Sequence, residues 1–343
     1  LSKAVLPLTI VKKTPLKILM LNGFPTFESK YLKNYLAETG HQAVVKNQLT
    51  TARYKYEYYN MTSKPVIEIT QEKLENFDVL IIDTKSLKDL SNRQLNTLMT
   101  AVREIGLGIL IQPDLNYFSN NKLLSPFKFI PDKSKEAVLD AHAKQNIKKY
   151  LFQFKPDFSV QPIHRSDSKI WSAYARLGSG RIGITVFRNT FELLLNGHTK
   201  TYQGFWSEII EQISKRKTPS VQWSASHKLA YENQPYEFEV RTTIPNPIVE
   251  SSEGYSIPLK RDIHVKSLWR GQIYPRDIGW RQLYLSQDST SEYKYYVTDN
   301  LQWTSMTNYN TVKANKTLFN DTSTSEIFQK TTLKLINPLW FFV

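Results

Sequence analysis

Five residues whose side chains could recognise or transform a ligand lie where apolar runs of the sequence end. They are Asn22, Phe24, Glu28, Asp83 and Asp114. If these runs are parallel strands, the five residues share the sheet edge where α/β proteins bind ligands, and they form the candidate ligand site. Carboxylates at such an edge can bind a cation or act as a general base. Helix capping and loop hydrogen bonds explain the two aspartates more simply.

The sequence lacks the motifs of the common covalent and nucleotide-dependent chemistries. It contains no cysteine, which excludes disulfides, thiolate metal sites and cysteine nucleophiles. It contains no Gly-x-Ser-x-Gly nucleophile elbow, and the first strand is followed by one glycine, Gly23, where a dinucleotide fingerprint needs three. The six histidines are isolated from one another, without an i, i+4 pair. We therefore predict no catalytic residue, no metal site and no cofactor.

Three apolar strands are expected to position the candidate residues. They are Ile18 to Leu21, Asp78 to Asp83, and Gly108 to Asp114. A helix predicted after Thr26 has large apolar residues at helical spacing, namely Phe27, Tyr31, Leu32, Tyr35 and Leu36. A second helix begins at Ser91, which forms a capping box with Gln94. This alternation of strands and helices predicts a flavodoxin-like α/β fold, a parallel sheet with helices on both faces.

The pattern changes at Lys217. Before it, Trp171 to Phe187 predicts a hairpin and Thr201 to Ile213 predicts a last amphipathic helix. After it, short period-two runs such as Tyr236 to Thr242 are separated by turn residues. We therefore expect an α/β domain over residues 1–217, an all-β immunoglobulin-like sandwich over residues 218–325, and a C-terminal segment over residues 326–343.

The charge of the chain is strongly basic, with 45 lysines and arginines against 31 acidic residues and a net charge of +14. The basic residues are spread along the chain, and no run reaches five. This distribution is typical of a solvated basic surface, so we predict no nucleic-acid partner.

Four segments together resemble a known family. They are LNGFPTFESKYLKNYL (21–36), DVLIIDTKSLKDLSNRQLNTLMTAVREIGLGILI (78–111), ARLGSGRIGI (175–184) and YQGFWSEII (202–210). They resemble the class I glutamine amidotransferase-like extracytoplasmic domains of Bacteroidetes-type membrane proteins, which occur beside von Willebrand factor A domains or in Bat-type gene neighbourhoods. The resemblance covers about residues 10–215. Within it, Phe27 and Glu28 match an aromatic and glutamate pair, and Phe205 and Trp206 match a pair in the last helix.

The resemblance implies a catalytically degenerate protein. True glutamine amidotransferases use a cysteine nucleophile with a nearby histidine and glutamate, and this chain has neither the cysteine nor a His-x-Glu pair. In the family this domain lies on the periplasmic side of the inner membrane and is connected to transmembrane helices at both ends. We therefore expect the apolar run Ile336 to Val343 to lead into a transmembrane helix.

The expected function is accordingly non-enzymatic. The protein would be a membrane-anchored extracytoplasmic module, a pseudo-amidotransferase that binds other membrane or periplasmic proteins as an interaction or envelope scaffold. One alternative is a hydrolase that uses a metal or the carboxylates at the strand ends, with Glu28, Asp83 or Asp114 as the base. Another is a glycan-binding module that uses the tyrosine-rich segment Tyr54 to Tyr59.

Overall fold

The structure is a computed structural model that describes residues 6–10, 14–51, 53–62, 68–119, 126–139, 144–166, 168–216, 219–227, 229–299 and 304–319. These residues divide into two compact units, and each is considered by itself. The mixed-sheet unit comprises the described residues between 14 and 216. The two-sheet unit comprises residues 6–10 and the described residues between 219 and 319.

The mixed-sheet unit contains twelve strands among its described residues. They are β1 (Lys17–Asn22), β2 (Gln42–Thr50), β3 (Arg53–Tyr59), β4 (Val79–Asp83), β5 (Gly108–Gln112), β6 (Phe129–Pro131), β7 (Glu136–Leu139), β8 (Gln145–Lys148), β9 (Phe152–Phe154), β10 (Val160–Ser166), β11 (Lys169–Leu177) and β12 (Gly180–Thr185). Eight of them form one sheet in the order β10-β11-β12-β5-β4-β1-β2-β3. The pairs β6–β9 and β7–β8 form two small antiparallel ribbons.

The helices of this unit are α1 (Phe27–Glu38), α2 (Gln71–Glu75), α3 (Thr84–Lys88), α4 (Asn92–Thr100), α5 (Leu115–Ser119), α6 (Glu192–Leu195) and α7 (Thr199–Ile213). The predicted capping box of Ser91 and Gln94 is present at the start of α4. A π-helical turn, Ala101–Ile105, extends α4 to Gly106, whose φ of 81° suits glycine.

The large sheet corrects the fold predicted from the sequence. Its five central strands, β12, β5, β4, β1 and β2, are parallel to one another. The outer strands β3, β10 and β11 pair antiparallel. The expected flavodoxin-like parallel sheet is therefore wrong, because the sheet is mixed. The short connections β2–β3 and β11–β12 explain the difference, since a parallel pair needs a crossover of a dozen or more residues.

The two-sheet unit contains β13 (Val221–Ala225), β14 (Ala230–Tyr231), β15 (Tyr236–Thr242), β16 (Val249–Ser251), β17 (Ser256–Ile257), β18 (Leu259–Arg261), β19 (Leu268–Ile273), β20 (Gly279–Leu285), β21 (Asp288–Thr298) and α8 (Thr304–Leu318). Its sheets have the orders β13-β15-β19-β18 and β14-β21-β20-β16-β17, and both contribute to one apolar core. The expected all-β immunoglobulin-like sandwich over residues 218–325 is also wrong. The segment includes the 15-residue helix α8, and β14 pairs parallel to β21.

The core of the mixed-sheet unit fixes the sheet edge that carries the candidate residues. Ile18, Leu19 and Met20 of β1 are completely buried, as are the apolar residues of β4 and β5 beside them. Helix α7 contributes Phe205, Trp206 and Ile213 to the same core. Its C-terminal end approaches β5 closely, because a Cβ atom on Gly108 would overlap the carbonyl oxygen of Ile213.

We predict that Gly108→Ala destabilises the protein more than Gly197→Ala does. At Gly108 the new methyl group must displace the backbone of α7, and we expect a loss of more than about 3 kcal/mol in the free energy of unfolding. Gly197 has a φ of 80° but nothing within 4 Å of an added Cβ, so only the backbone conformation is penalised, by about 1–2 kcal/mol. Urea unfolding of both variants measures this difference. Equal losses would contradict the close approach of α7 to β5.

Candidate functional site

A cleft of about 870 Å³ lies at the carboxyl ends of β1, β4 and β5 in the mixed-sheet unit. Its volume falls within the roughly 300–1,000 Å³ of small-molecule sites. All five residues singled out from the sequence line it, namely Asn22, Phe24, Glu28, Asp83 and Asp114. The parallel central strands explain this convergence, because they bring residues 22, 83 and 114 to the same edge of the sheet.

Glu28 is held in the cleft by two hydrogen bonds from Thr190. The backbone N–H of Thr190 donates to Glu28 Oε2 at 2.8 Å, and the Thr190 hydroxyl donates to Oε1. Trp206 Nε1 donates to Thr190 Oγ1 at 3.0 Å. Because Trp206 fills one acceptor position of that oxygen, the Thr190 hydroxyl hydrogen is directed at the carboxylate. Thr190 and Trp206 are both 1% exposed, so water does not reach these hydrogen bonds from the side of α7.

The environment of Glu28 raises the pKa of its carboxyl group to about 7. Burial is the largest cause, the hydrogen bonds from Thr190 oppose it, and the charge of Glu192 adds a small increase. The residue as a whole keeps some exposure at the cleft surface while the carboxyl group itself is enclosed. Near neutral pH, Glu28 is therefore present in both its protonated and its ionised form, and can donate or accept a proton.

The two aspartates serve the local backbone. Asp83 Oδ2 accepts a hydrogen bond from the N–H of Gly23 at 2.6 Å, and Oδ1 accepts one from the N–H of Ser86 at 2.7 Å, which caps α3. Asp114 Oδ1 accepts a hydrogen bond from the N–H of Tyr117 at 2.9 Å. Both carboxylates therefore perform the capping and loop roles that the sequence suggested.

Two amide side chains in the cleft have unused hydrogen-bonding atoms. Asn22 is 4% exposed, and its Nδ2 donates to Asn47 Oδ1 at 2.9 Å. Its buried Oδ1 accepts no hydrogen bond from the described residues, and Nε2 of Gln112 likewise has no acceptor among them. Both atoms have almost no surface that a molecule in the cleft could touch, so they are buried polar atoms whose missing partners cost stability.

Four cationic side chains line the same cleft. Lys33 pairs with Glu57 at 2.7 Å, and Lys85 pairs with Asp89 at 2.7 Å. Lys30 and Arg188 form no salt bridge with the described part of the chain. The Arg188 guanidinium lies 5.8 Å from the centroid of the Tyr150 ring. These two cations are available to an anionic group of a ligand.

Exposed aromatic rings also line the cleft. Phe24 is 56% exposed and Phe27 is 65% exposed. Phe27 shares the helical spacing of Tyr31, Leu32, Tyr35 and Leu36 but is not buried with Leu32 and Leu36. Its ring lies 5.6 Å from the ring of Phe191, and much of its remaining surface faces solvent. Phe27 is the first residue of α1, directly after the N-cap Thr26.

Sequence reasoning missed Gln112, Tyr150, Arg188 and Thr190. Gln112 ends β5, and residues 188–190 follow β12, which is parallel to β5. Asn22 and Asp83 were selected because they end strands of the parallel sheet. Residues 188–190 would have been selected in the same way if the second strand of the predicted hairpin had been assigned to the parallel part of the sheet. Tyr150 lies beyond any such rule, because no strand-end pattern marks it.

The tyrosine-rich segment lies away from the cleft. It forms β3 at the edge of the sheet, and the Lys46 ammonium lies 4.1 Å from the Tyr54 ring centroid. One face of that ring therefore already holds a cation. In the described ranges, no group of three histidine, aspartate or glutamate residues is arranged to hold a metal ion. No described helix combines the length and apolar character needed to cross a membrane, and the run Ile336 to Val343 lies outside the described residues.

Comparisons with known proteins give distant structural similarity only. No family model matches the sequence, and no curated protein matches it. A cytoplasmic protein of Salmonella typhimurium, STM3548, is 10% identical to this chain at a TM-score of 0.42. The match covers 59% of this chain and 100% of the Salmonella chain. The exo-β-1,4-mannosidase Op5Man5 of an Opitutaceae bacterium is 11% identical, with coverages of 60% and 37% and a TM-score of 0.37. The GH42 β-galactosidase Gan42B is 10% identical, with coverages of 79% and 40% and a TM-score of 0.33. The chain thus spans less than half of either glycosidase, and similarity this low assigns no function.

We predict that Glu28 makes the protein less stable as the pH rises from 4.5 to about 7. In this window the folded state retains a proton on Glu28 that the unfolded chain has released, so the free energy of unfolding falls with increasing pH. The difference between 4.5 and about 7 corresponds to roughly 3 kcal/mol at about 1.4 kcal/mol per pKa unit.

Urea unfolding between pH 4 and 8 measures this effect when the wild-type profile is compared with that of Glu28→Gln. The variant should lack the decline, since its amide does not titrate. Glu38→Gln, at the exposed far end of α1, is the matched control. Identical pH profiles for the wild type and Glu28→Gln would show that Glu28 is not enclosed.

Proposed function

We propose that the cleft of the mixed-sheet unit binds a small polar molecule, and that the protein acts by recognition rather than catalysis. The observation that carries the proposal is the cleft of about 870 Å³ at the carboxyl ends of the central strands, lined by two cations, Lys30 and Arg188, that form no salt bridge with the described residues. A concave site of this size, mostly apolar with a few converging polar and charged side chains, is the usual form of a small-molecule site.

The hydrogen bonding of the carboxylates supports recognition over hydrolysis. Asp83 uses both of its oxygens for backbone N–H groups, and Glu28 uses both for Thr190. Asp114 uses Oδ1 for the N–H of Tyr117. A general base needs an oxygen within reach of the proton it removes. Membrane anchoring and partners in the bacterial envelope stay predictions from the sequence resemblance.

One observation favours a second function. Glu28 has a pKa of about 7 and lines the cleft, which is the protonation behaviour that a general acid or base requires. A hydrolase would use Glu28 in this role.

We predict that some members of a panel of small polar metabolites raise the thermal unfolding temperature of the full chain, and that Arg188→Ala reduces this rise. A ligand at about 100 times its Kd adds about 2.7 kcal/mol to the free energy of unfolding, which thermal scans resolve. Arg188 is exposed at the cleft, so its loss should weaken binding without unfolding the protein. Arg176→Ala is the matched control, because Arg176 is exposed on β11 and does not line the cleft.

Two outcomes would contradict the proposal. If no compound stabilises the protein, or if every rise is unchanged in Arg188→Ala, the cleft is not a ligand site. If a compound, glutamine included, is hydrolysed and Glu28→Gln abolishes the turnover, recognition alone is wrong and the hydrolase is favoured.

A further inference from the structure

We infer that β3 is a dimerisation strand, through which two copies of this chain pair antiparallel about a two-fold axis. The inference goes beyond the proposed function, and no residue of β3 lines the cleft. Three observations on β3 carry it: an unpaired backbone edge, the lack of the features that usually protect such an edge, and a sequence that is complementary to itself.

The outer edge of β3 is unpaired. This strand ends the eight-stranded sheet, and β2 is its one strand partner in the described ranges. The backbone N–H and C=O groups of a strand point alternately to its two sides, so about half of those in Arg53–Tyr59 face away from β2. These groups form no backbone hydrogen bond with other residues that the structure describes, and none of the seven residues is buried. The edge is therefore available to another strand.

The opposite edge of the same sheet is protected, whereas β3 is not. Strand β10 contains Pro162, which has no N–H to donate, and its register with β11 is irregular on both sides of His164. Prolines and such irregularities prevent a further strand from pairing. Strand β3 contains no proline, and its register with β2 is continuous from Tyr59 to Tyr54. It thus keeps a regular edge.

The charges of β3 fit a second copy of β3. The strand reads RYKYEYY, with Tyr56 at its centre. If Tyr56 lies on the two-fold axis, Lys55 of each copy lies directly opposite Glu57 of the other, on the same face of the sheet. The Lys55 side chain is 59% exposed, and its contact with Glu57 of its own strand is 3.4 Å long. It can therefore turn toward the second copy, where opposite charges across a strand pair are stabilising.

The remaining residues of β3 match in the same register. Tyr54 lies opposite Tyr58, and Arg53 lies opposite Tyr59, so every residue of the strand is paired. Aromatic pairs across strands are stabilising, and an arginine can stack on a tyrosine ring. Tyr54 is 46% exposed in the single chain, so pairing covers apolar surface that otherwise faces water.

The neighbouring registers fit less well. Moving the axis by one residue brings either the two copies of Lys55 or the two copies of Glu57 directly opposite each other. Like charges in that position are destabilising. Each shift also leaves one end of both strands without a partner. The register centred on Tyr56 is therefore the favoured one.

The first test is sedimentation velocity of the full chain over a range of concentrations. A strand pair of this length is smaller than a standard interface, so we expect a weak dimer whose fraction rises with concentration. Lys55→Glu should weaken the dimer about tenfold or more, because two carboxylates then face each other at both symmetry-related positions. The variant also makes a chain of net charge +14 less basic, which reduces the general repulsion between copies. A weaker dimer therefore reports the strand contact.

Arg176→Glu is the matched control. It makes the same change of charge at an exposed residue of β11, near the other edge of the sheet. It should dimerise at least as well as the wild type. A loss as large as that of Lys55→Glu would overturn the inference, because the effect would not be specific to β3.

A cysteine cross-link tests the register. The chain contains no cysteine, so each variant carries a single thiol. Tyr56→Cys places the two thiols opposite each other on the axis, with Cβ atoms about 4.5–5.5 Å apart, and mild oxidation should give a covalent dimer. Lys55→Cys should cross-link much less, since its thiol lies opposite Glu57.

Three further results would overturn the inference. They are a chain that stays monomeric at every concentration, a dimer that Lys55→Glu leaves unchanged, and a Lys55→Cys variant that cross-links as readily as Tyr56→Cys. The thermal shifts expected from ligands of the cleft do not depend on any of these outcomes.

Discussion

The hydrogen bonds between Glu28 and Thr190 are the interaction on which the site depends. Burying a carboxyl group is costly unless donors compensate it, and Thr190 supplies two, one of them oriented by Trp206. Glu28 belongs to α1, Thr190 to the segment after β12, and Trp206 to α7. The same three residues thus join the helix that opens the cleft, the segment that forms one wall and the helix behind it. A change in any of them alters both the shape of the cleft and the charge within it.

The parallel centre of the sheet supplies the other constraint. It brings residues from four segments of the chain to one edge, and hydrogen bonding then divides them into two groups. Asp83 and Asp114 are committed to the backbone of the loops and helices that surround the cleft. Lys30 and Arg188 form no salt bridge with the described residues. The first group holds the cleft in shape, and the second is available to a ligand.

The sequence predicted which residues meet at the sheet edge better than it predicted the fold. Apolar runs such as Val79 to Ile82 are buried on both faces, so their position in the sheet and the residues that end them could be recognised from pattern alone. The direction of the outer strands could not, because alternation within β3 or β10 is the same for parallel and antiparallel pairing. Thr190 was missed for a related reason. Its role comes from contacts with Glu28, 162 positions away, and with Trp206, and no local spacing encodes them.

A crystallographic screen of small polar fragments against the full chain tests most directly whether this cleft is a binding site. We predict that fragments collect in the cleft, with polar atoms within hydrogen-bond distance of Lys30 or Arg188. The contradicting result is that fragments bind only elsewhere on the protein.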